Sequence, residues 1–149
     1  MQQHFTNMDY RDSLLKFEIV WKDENMFELK IIASNGRYSG TAQVYATSNS
    51  LTNFALSLAG YPIAWGNTLF YELKGSFSFF SMSLYCIVSS GHIGVQVTLE
   101  EDIHSSNQQQ NKNQVKLEIT TVPGAIDNFQ KELLHLAVTQ DGIATLHTS

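Results

Sequence analysis

Residues that carry chemistry are scarce in this chain. A single cysteine, Cys86, stands among 149 residues, which excludes an intramolecular disulfide framework and fits a reducing compartment. It falls on the apolar side of an alternating segment, where a free cysteine acts as a small buried hydrophobe. The N-terminal MQQHFTNMDYRDSLLKF has no basic start leading into an apolar core, so it does not read as a secretory signal. No window of eighteen or more residues is free of polar groups, and the most apolar stretch, 77–88, is interrupted by serine; a membrane span is not expected. Basic residues number nine against fourteen acids, for a net charge of -5, and no two of the nine are adjacent. Affinity for a phosphate backbone depends on clustered Lys and Arg. The expectation is a soluble, cytoplasmic protein with neither a nucleic-acid nor a membrane partner.

Catalytic motifs are missing as well. The glycines at 60 and 66 are not followed by the Lys-Ser or Lys-Thr of a phosphate loop, and no G-x-S-x-G elbow occurs. The five histidines, at 4, 92, 104, 135 and 147, have no second His or Cys at metal-ligand spacing. Only His92 sits in a constrained setting, after Gly91, where a hairpin could bring Cys86 near it. A thiol–imidazole pair also needs a third group to orient the imidazole, and none is identified. No catalytic residue, metal ligand or cofactor is expected.

What the chain does have is period-two alternation. Phe80, Met82, Leu84, Cys86 and Val88 share one face, with Ser81, Ser83, Tyr85 and Ser89 on the other. After a turn, Ile93, Val95, Val97 and Leu99 repeat the apolar face against Gly94, Gln96, Thr98 and Glu100. Such a pattern marks an antiparallel sheet with one buried and one wet face. Leu15, Phe17, Ile19 and Trp21 predict a first strand, and Phe27, Leu29 and Ile31 a second. Asn35-Gly36 reads as the turn of a two-residue hairpin into a third strand, 37–47. Further strands are expected at 68–74 and around Val115, Leu117 and Ile119.

The period lengthens after Ser48. Ser50 reads as an N-cap for a helix over 51–59, with Leu51, Phe54 and Leu58 as its apolar stripe, Gly60 as its end and Pro62 beyond. Pro123 opens a second helix along Ile126, Phe129, Leu133, Leu136 and Ala137. Residues 1–13 are polar and expected to fray. Residues 103–114, built around HSSNQQQNKN, contain nothing apolar at 104–113 and read as a flexible polar loop. The expected fold is one α+β domain over 1–149: an antiparallel sheet of about six to seven strands in meanders and hairpins, with two helices packed on one face.

Two surfaces are candidates for binding. Glu100, Glu101 and Asp102 are consecutive carboxylates at a strand end, a poor geometry for an acid–base dyad but a local negative field. Tyr61 and Trp65, with Tyr71, flank a Gly/Pro loop, and exposed aromatics there would be the kind of anchor that dominates interfaces.

The order of the motifs also matters. Alternating strands lead to a helix with Leu51, Phe54 and Leu58. Trp65-Gly66 follows, then a hairpin with Gly91-His92-Ile93, a strand with Val95, Val97 and Leu99, and a closing amphipathic helix. Over roughly residues 15–137 this resembles a family of small acidic bacterial proteins that includes immunity proteins of the WapI type, encoded beside secreted toxins. The resemblance implies a non-catalytic protein that neutralises a protein partner, a basic toxin domain being the expected one, and transfers no functional residue. The polar segment at 104–113 is longer than the resemblance suggests. The alternative is a small-ligand-binding or enzymatic domain, with a pocket between the curved sheet and the C-terminal helix lined by Ser76, Ser78, Ser81, Ser83 and Tyr85. A filled core with an exposed acidic–aromatic patch favours the first reading, and a cavity between sheet and helix the second.

Overall fold

A computed structural model describes residues 13–62, 67–87, 91–104 and 110–148. In chain order the elements are β1 (Ser13–Lys22), β2 (Phe27–Asn35), β3 (Ser39–Ala46), α1 (Ser48–Leu58), β4 (Leu69–Lys74), β5 (Ser78–Ile87), β6 (His92–His104), β7 (Gln110–Thr121), α2 (Pro123–Thr139) and β8 (Ile143–His147). All strands join one antiparallel sheet in the order β7-β6-β5-β4-β3-β2-β1-β8. The α+β class with an antiparallel sheet is as the alternation predicts. Among the described residues the strands number eight, because the short apolar piece after Asp141-Gly142 returns to pair with β1, Ala144 opposite Phe17. Among the described residues no helix is long and apolar enough to cross a membrane.

Local chemistry corrects several boundaries. The β1 alternation breaks at a register shift between Ile19 and Trp21, which leaves Trp21 46% exposed instead of on the buried face. At the β2–β3 turn only Gly36 takes a positive φ, 90°. Asn35 stays in the strand, and its Oδ1 accepts from the Arg37 and Tyr38 N–H groups at 3.0 and 2.9 Å. Helix α1 is capped one turn earlier than expected: the Thr47 hydroxyl accepts from Ser50 N–H at 3.1 Å, and Ser50 turns its own Oγ to Tyr71 Oη at 3.0 Å.

Residues 103–114, expected as a loop, are strand at both ends. Ile103 and His104 belong to β6, and Gln110 to Gln114 belong to β7, with Glu101 opposite Asn113, Asp102 opposite Lys112 and His104 opposite Gln110. A hairpin extended by main-chain hydrogen bonds needs no apolar side chains of its own. The middle of that segment, 105–109, lies outside the described residues, as do 1–12, Val88, Ser89 and the Trp65 loop at 63–66. Ser13, placed with the fraying end, already pairs with Asn35.

The sheet folds over on itself. Between β3 and β4, where α1 intervenes, only one position is paired, Tyr45 with Lys74. The strands on either side of this joint close like two leaves. Phe80 of β5 meets Phe17 of β1 edge-to-face at 5.5 Å, and Phe17 meets Phe129 of α2 the same way at 5.6 Å. These rings are fully buried, each contributing roughly 1.5–3 kcal/mol by burial alone. Gly40 lets the leaves approach: a Cβ there would lie 3.2 Å from Leu99 Cδ1 and 3.3 Å from Val115 Cβ. Leu51, Phe54, Ala55 and Leu58 of α1 and Ile126, Phe129, Leu133, Leu136 and Ala137 of α2 complete the core. At one end the two sheet edges are tied together, the Thr121 hydroxyl donating to His147 O at 2.8 Å.

Candidate functional site

The acidic triad divides. Glu100 turns to its neighbour strand, where Lys112 Nζ lies 3.3 Å from Oε1 and the Gln114 amide donates to Oε2. Its charge is largely matched within the chain. Glu101 and Asp102 line a groove of about 410 Å³ together with Glu28, Gln43, Tyr45, Ser76, Phe77 and Ser78, and Asp102 also lines an adjoining groove around the same turn with Glu100, Lys74 and Phe79. Glu28 and Tyr45 stand opposite each other on β2 and β3, on the face away from the core.

The wall of this groove is a pinned turn. Gly75 N–H donates to Ser78 O at 2.9 Å, and Asp102 N–H donates to Phe77 O at 2.7 Å. The Ser78 hydroxyl donates to Gln43 O. Only glycine fits at 75, since a Cβ would collide with Gln43 O and Ser78 Oγ. The turn therefore presents Phe77, 58% exposed, from a fixed backbone. Asp102 Oδ1 is shielded from solvent and has no hydrogen-bond partner among the described residues.

The aromatic candidates behave differently from expectation. Tyr61 is 4% exposed; its hydroxyl donates to Asn67 O at 2.6 Å and lies 3.9 Å from Cys86 Sγ. Burial, then the Cys86 contact, raises its pKa above the ordinary tyrosine value. Tyr61 is thus a core residue and offers no surface. Tyr71 stacks on Phe54 at 4.1 Å with the rings nearly parallel, and burial raises its pKa too. Trp65 lies outside the described residues. The aromatics that do face the acids are Phe77 and Tyr45, which periodicity alone does not single out; the usable signal was an aromatic directly after Gly75-Ser76, in a turn.

Cys86 and His92 do not form a pair. Cys86 stands opposite Ile93 and His92 opposite Ile87, so alternation sends the thiol to the core side and the imidazole to the other face. Among the described residues no group of three or more His, Cys, Asp or Glu side chains could hold a metal ion. Phe17, Phe80 and Phe129 pack the space between the middle of the sheet and α2, while an open groove of about 550 Å³ runs between α2 and the edge strand β8, lined by Ala125, Asn128, Lys131, Glu132, Thr145 and His147. Ser81, Ser83 and Tyr85 lie on the wet face, where the Tyr85 hydroxyl donates to Glu118 Oε2 at 2.6 Å and its ring covers Gly94. That bond to a carboxylate, then burial, raises the Tyr85 pKa.

What the groove offers chemically is recognition: carboxylates from two strands around a rigid, exposed aromatic. No family model, curated protein or solved structure matches this chain.

Proposed function

We propose that the protein is a non-catalytic binding protein that neutralises a partner by direct contact, in the manner of an immunity protein, and that the groove of Glu28, Glu101, Asp102, Tyr45 and Phe77 receives a basic segment of that partner. The observation that carries this reading is Asp102 Oδ1. A shielded acceptor left without a donor costs on the order of 1–3 kcal/mol, which a Lys or Arg entering the groove would recover. Phe77 and Tyr45 supply faces on which the same cation can rest. The Glu28 and Glu101 carboxylates, which have no ion pair among the described residues, would steer it in from a distance. The filled core supports this reading over a ligand pocket.

The test has two steps. The immobilised protein is used to capture partners from its native host, and each captured basic protein is then expressed alone and with this chain in a heterologous host. The expected result is a captured protein that arrests growth alone and is harmless when co-expressed. Arrest that co-expression leaves unchanged, for every captured protein, would contradict the proposal.

A further inference from the structure

The two edges of the sheet are finished differently. On β8, the Ile19 N–H donates to Gly142 O, so alternation turns the main-chain groups of Ile143, Thr145 and His147 outward. Two of those groups meet side chains: Glu132 Oε1 accepts from Thr145 N–H at 2.7 Å, and Thr121 Oγ1 donates to His147 O. The edge is thereby blocked against another strand.

On β7, from Lys112 to Thr120, nothing comparable occurs among the described residues. The bond from Asp102 N–H to Phe77 O directs the even-numbered residues of β6 toward β5 and the odd-numbered ones toward β7. The β6–β7 register runs unshifted, with Glu101 opposite Asn113 and Val97 opposite Leu117, so the odd-numbered residues of β7 are bonded to β6. Lys112, Gln114, Lys116, Glu118 and Thr120 therefore turn both N–H and C=O to the open side. All five are exposed, and among the described residues nothing bonds these outward main-chain groups. An open edge of this length is a template for a further strand.

We propose that β7 pairs, antiparallel, with β7 of a second copy of this chain about a two-fold axis at Leu117. Symmetry and charge select that register. Even-numbered residues must face even-numbered ones for their main-chain groups to meet, so the axis passes through a residue. At Lys116 or Glu118 it would set like charges directly opposite, which is destabilising. At Val115 it would draw on Lys112, already paired with Glu100 at 3.3 Å. At Leu117 it sets Lys116 against Glu118 of the second copy, and Glu118 against its Lys116. Gln114 then faces Thr120. The four residue pairs supply about eight main-chain hydrogen bonds.

The side chains suit the role. Lys116 has no ion pair among the described residues, while Glu118 is held in place by Tyr85 and by Gln96 Nε2 at 3.3 Å. The sheet would run continuously through both copies, with the acidic grooves at Glu28 and Asp102 left open.

Sedimentation equilibrium of the full chain over a range of concentrations tests the pairing. The expected mass rises from 16.8 kDa to twice that value. Lys116→Glu should weaken the dimer about tenfold, because two like-charge pairs replace two opposite-charge ones. Combining it with Glu118→Lys should restore dimerisation. Lys116→Pro removes an outward N–H but no ladder bond to β6, so it should be monomeric with an unchanged circular dichroism spectrum. A wild-type mass of 16.8 kDa at every concentration would overturn the proposal, as would a Lys116→Glu dimer as tight as wild type or a charge swap that stays monomeric.

Discussion

Phe77 and Asp102, the two ends of the long alternating hairpin, are joined through their main chains: the Asp102 N–H donates to Phe77 O at 2.7 Å. This bond sets the exposed Phe77 ring beside the carboxylates of β6 and makes one groove from two distant points in sequence. Because Ser78 also anchors to Gln43 of β3, the groove spans both leaves of the folded sheet. Recognition residues on such a frame lose little freedom on binding.

Phe80→Ala should cost about 3–5 kcal/mol. The ring touches Phe17 from the opposite leaf, so its loss opens a void at the place where the leaves meet. Urea denaturation measures it directly, with a lower midpoint expected. A loss under about 1 kcal/mol would mean that the leaves do not depend on this contact.

Gly94→Ala should destabilise by about 1–3 kcal/mol through overpacking. A Cβ at this position would sit 2.4 Å from the Tyr85 ring. The penalty should shrink when Tyr85 is also replaced by serine, because the obstacle is then gone. A double-mutant cycle on thermal denaturation gives the coupling, and strict additivity of the two changes would contradict the account.

Alkaline pH should weaken the fold. Tyr61, Tyr71 and Tyr85 all have raised pKa values, the first two chiefly by burial and Tyr85 chiefly by its bond to Glu118. Their folded forms hold the phenol proton more tightly than the unfolded chain does. The stability they contribute is therefore complete below the unfolded value of about 10 and is lost as pH rises through the folded values. Urea midpoints at about pH 8 and pH 11 should differ, and less so in Tyr85→Phe. An equal loss in that variant would show that the Glu118 bond does not perturb the phenol.

The alternation of residues 80–86 and 93–99 made the central hairpin and its buried face legible, and the stripes of Leu51 and Phe129 did the same for the helices. The meeting of Phe17 with Phe80 was not legible, since it depends on the single Tyr45–Lys74 bridge and on a bend that no local pattern encodes. The polar run at 104–113 read as a loop because strand formation there rests on main-chain pairing and on pairs such as Glu100–Lys112. Of the site, Glu101 and Asp102 were visible as a charge cluster. Glu28 and Tyr45 were hidden as ordinary wet-face residues. Tyr61 misled because its loop position concealed an inward hydroxyl bond to Asn67.

The most direct test of the binding account is the association rate of the Glu101→Lys/Asp102→Lys variant with the captured partner at two salt concentrations. Both carboxylates line the groove, and charges at a rim act over a Debye length of about 8 Å at physiological salt. The double variant should associate at least tenfold more slowly at low salt and lose most of its salt dependence, while Glu100→Gln, whose charge Lys112 already matches, should associate at close to the wild-type rate. An unchanged association rate for the double variant at low salt would contradict the assignment of this groove as the binding site.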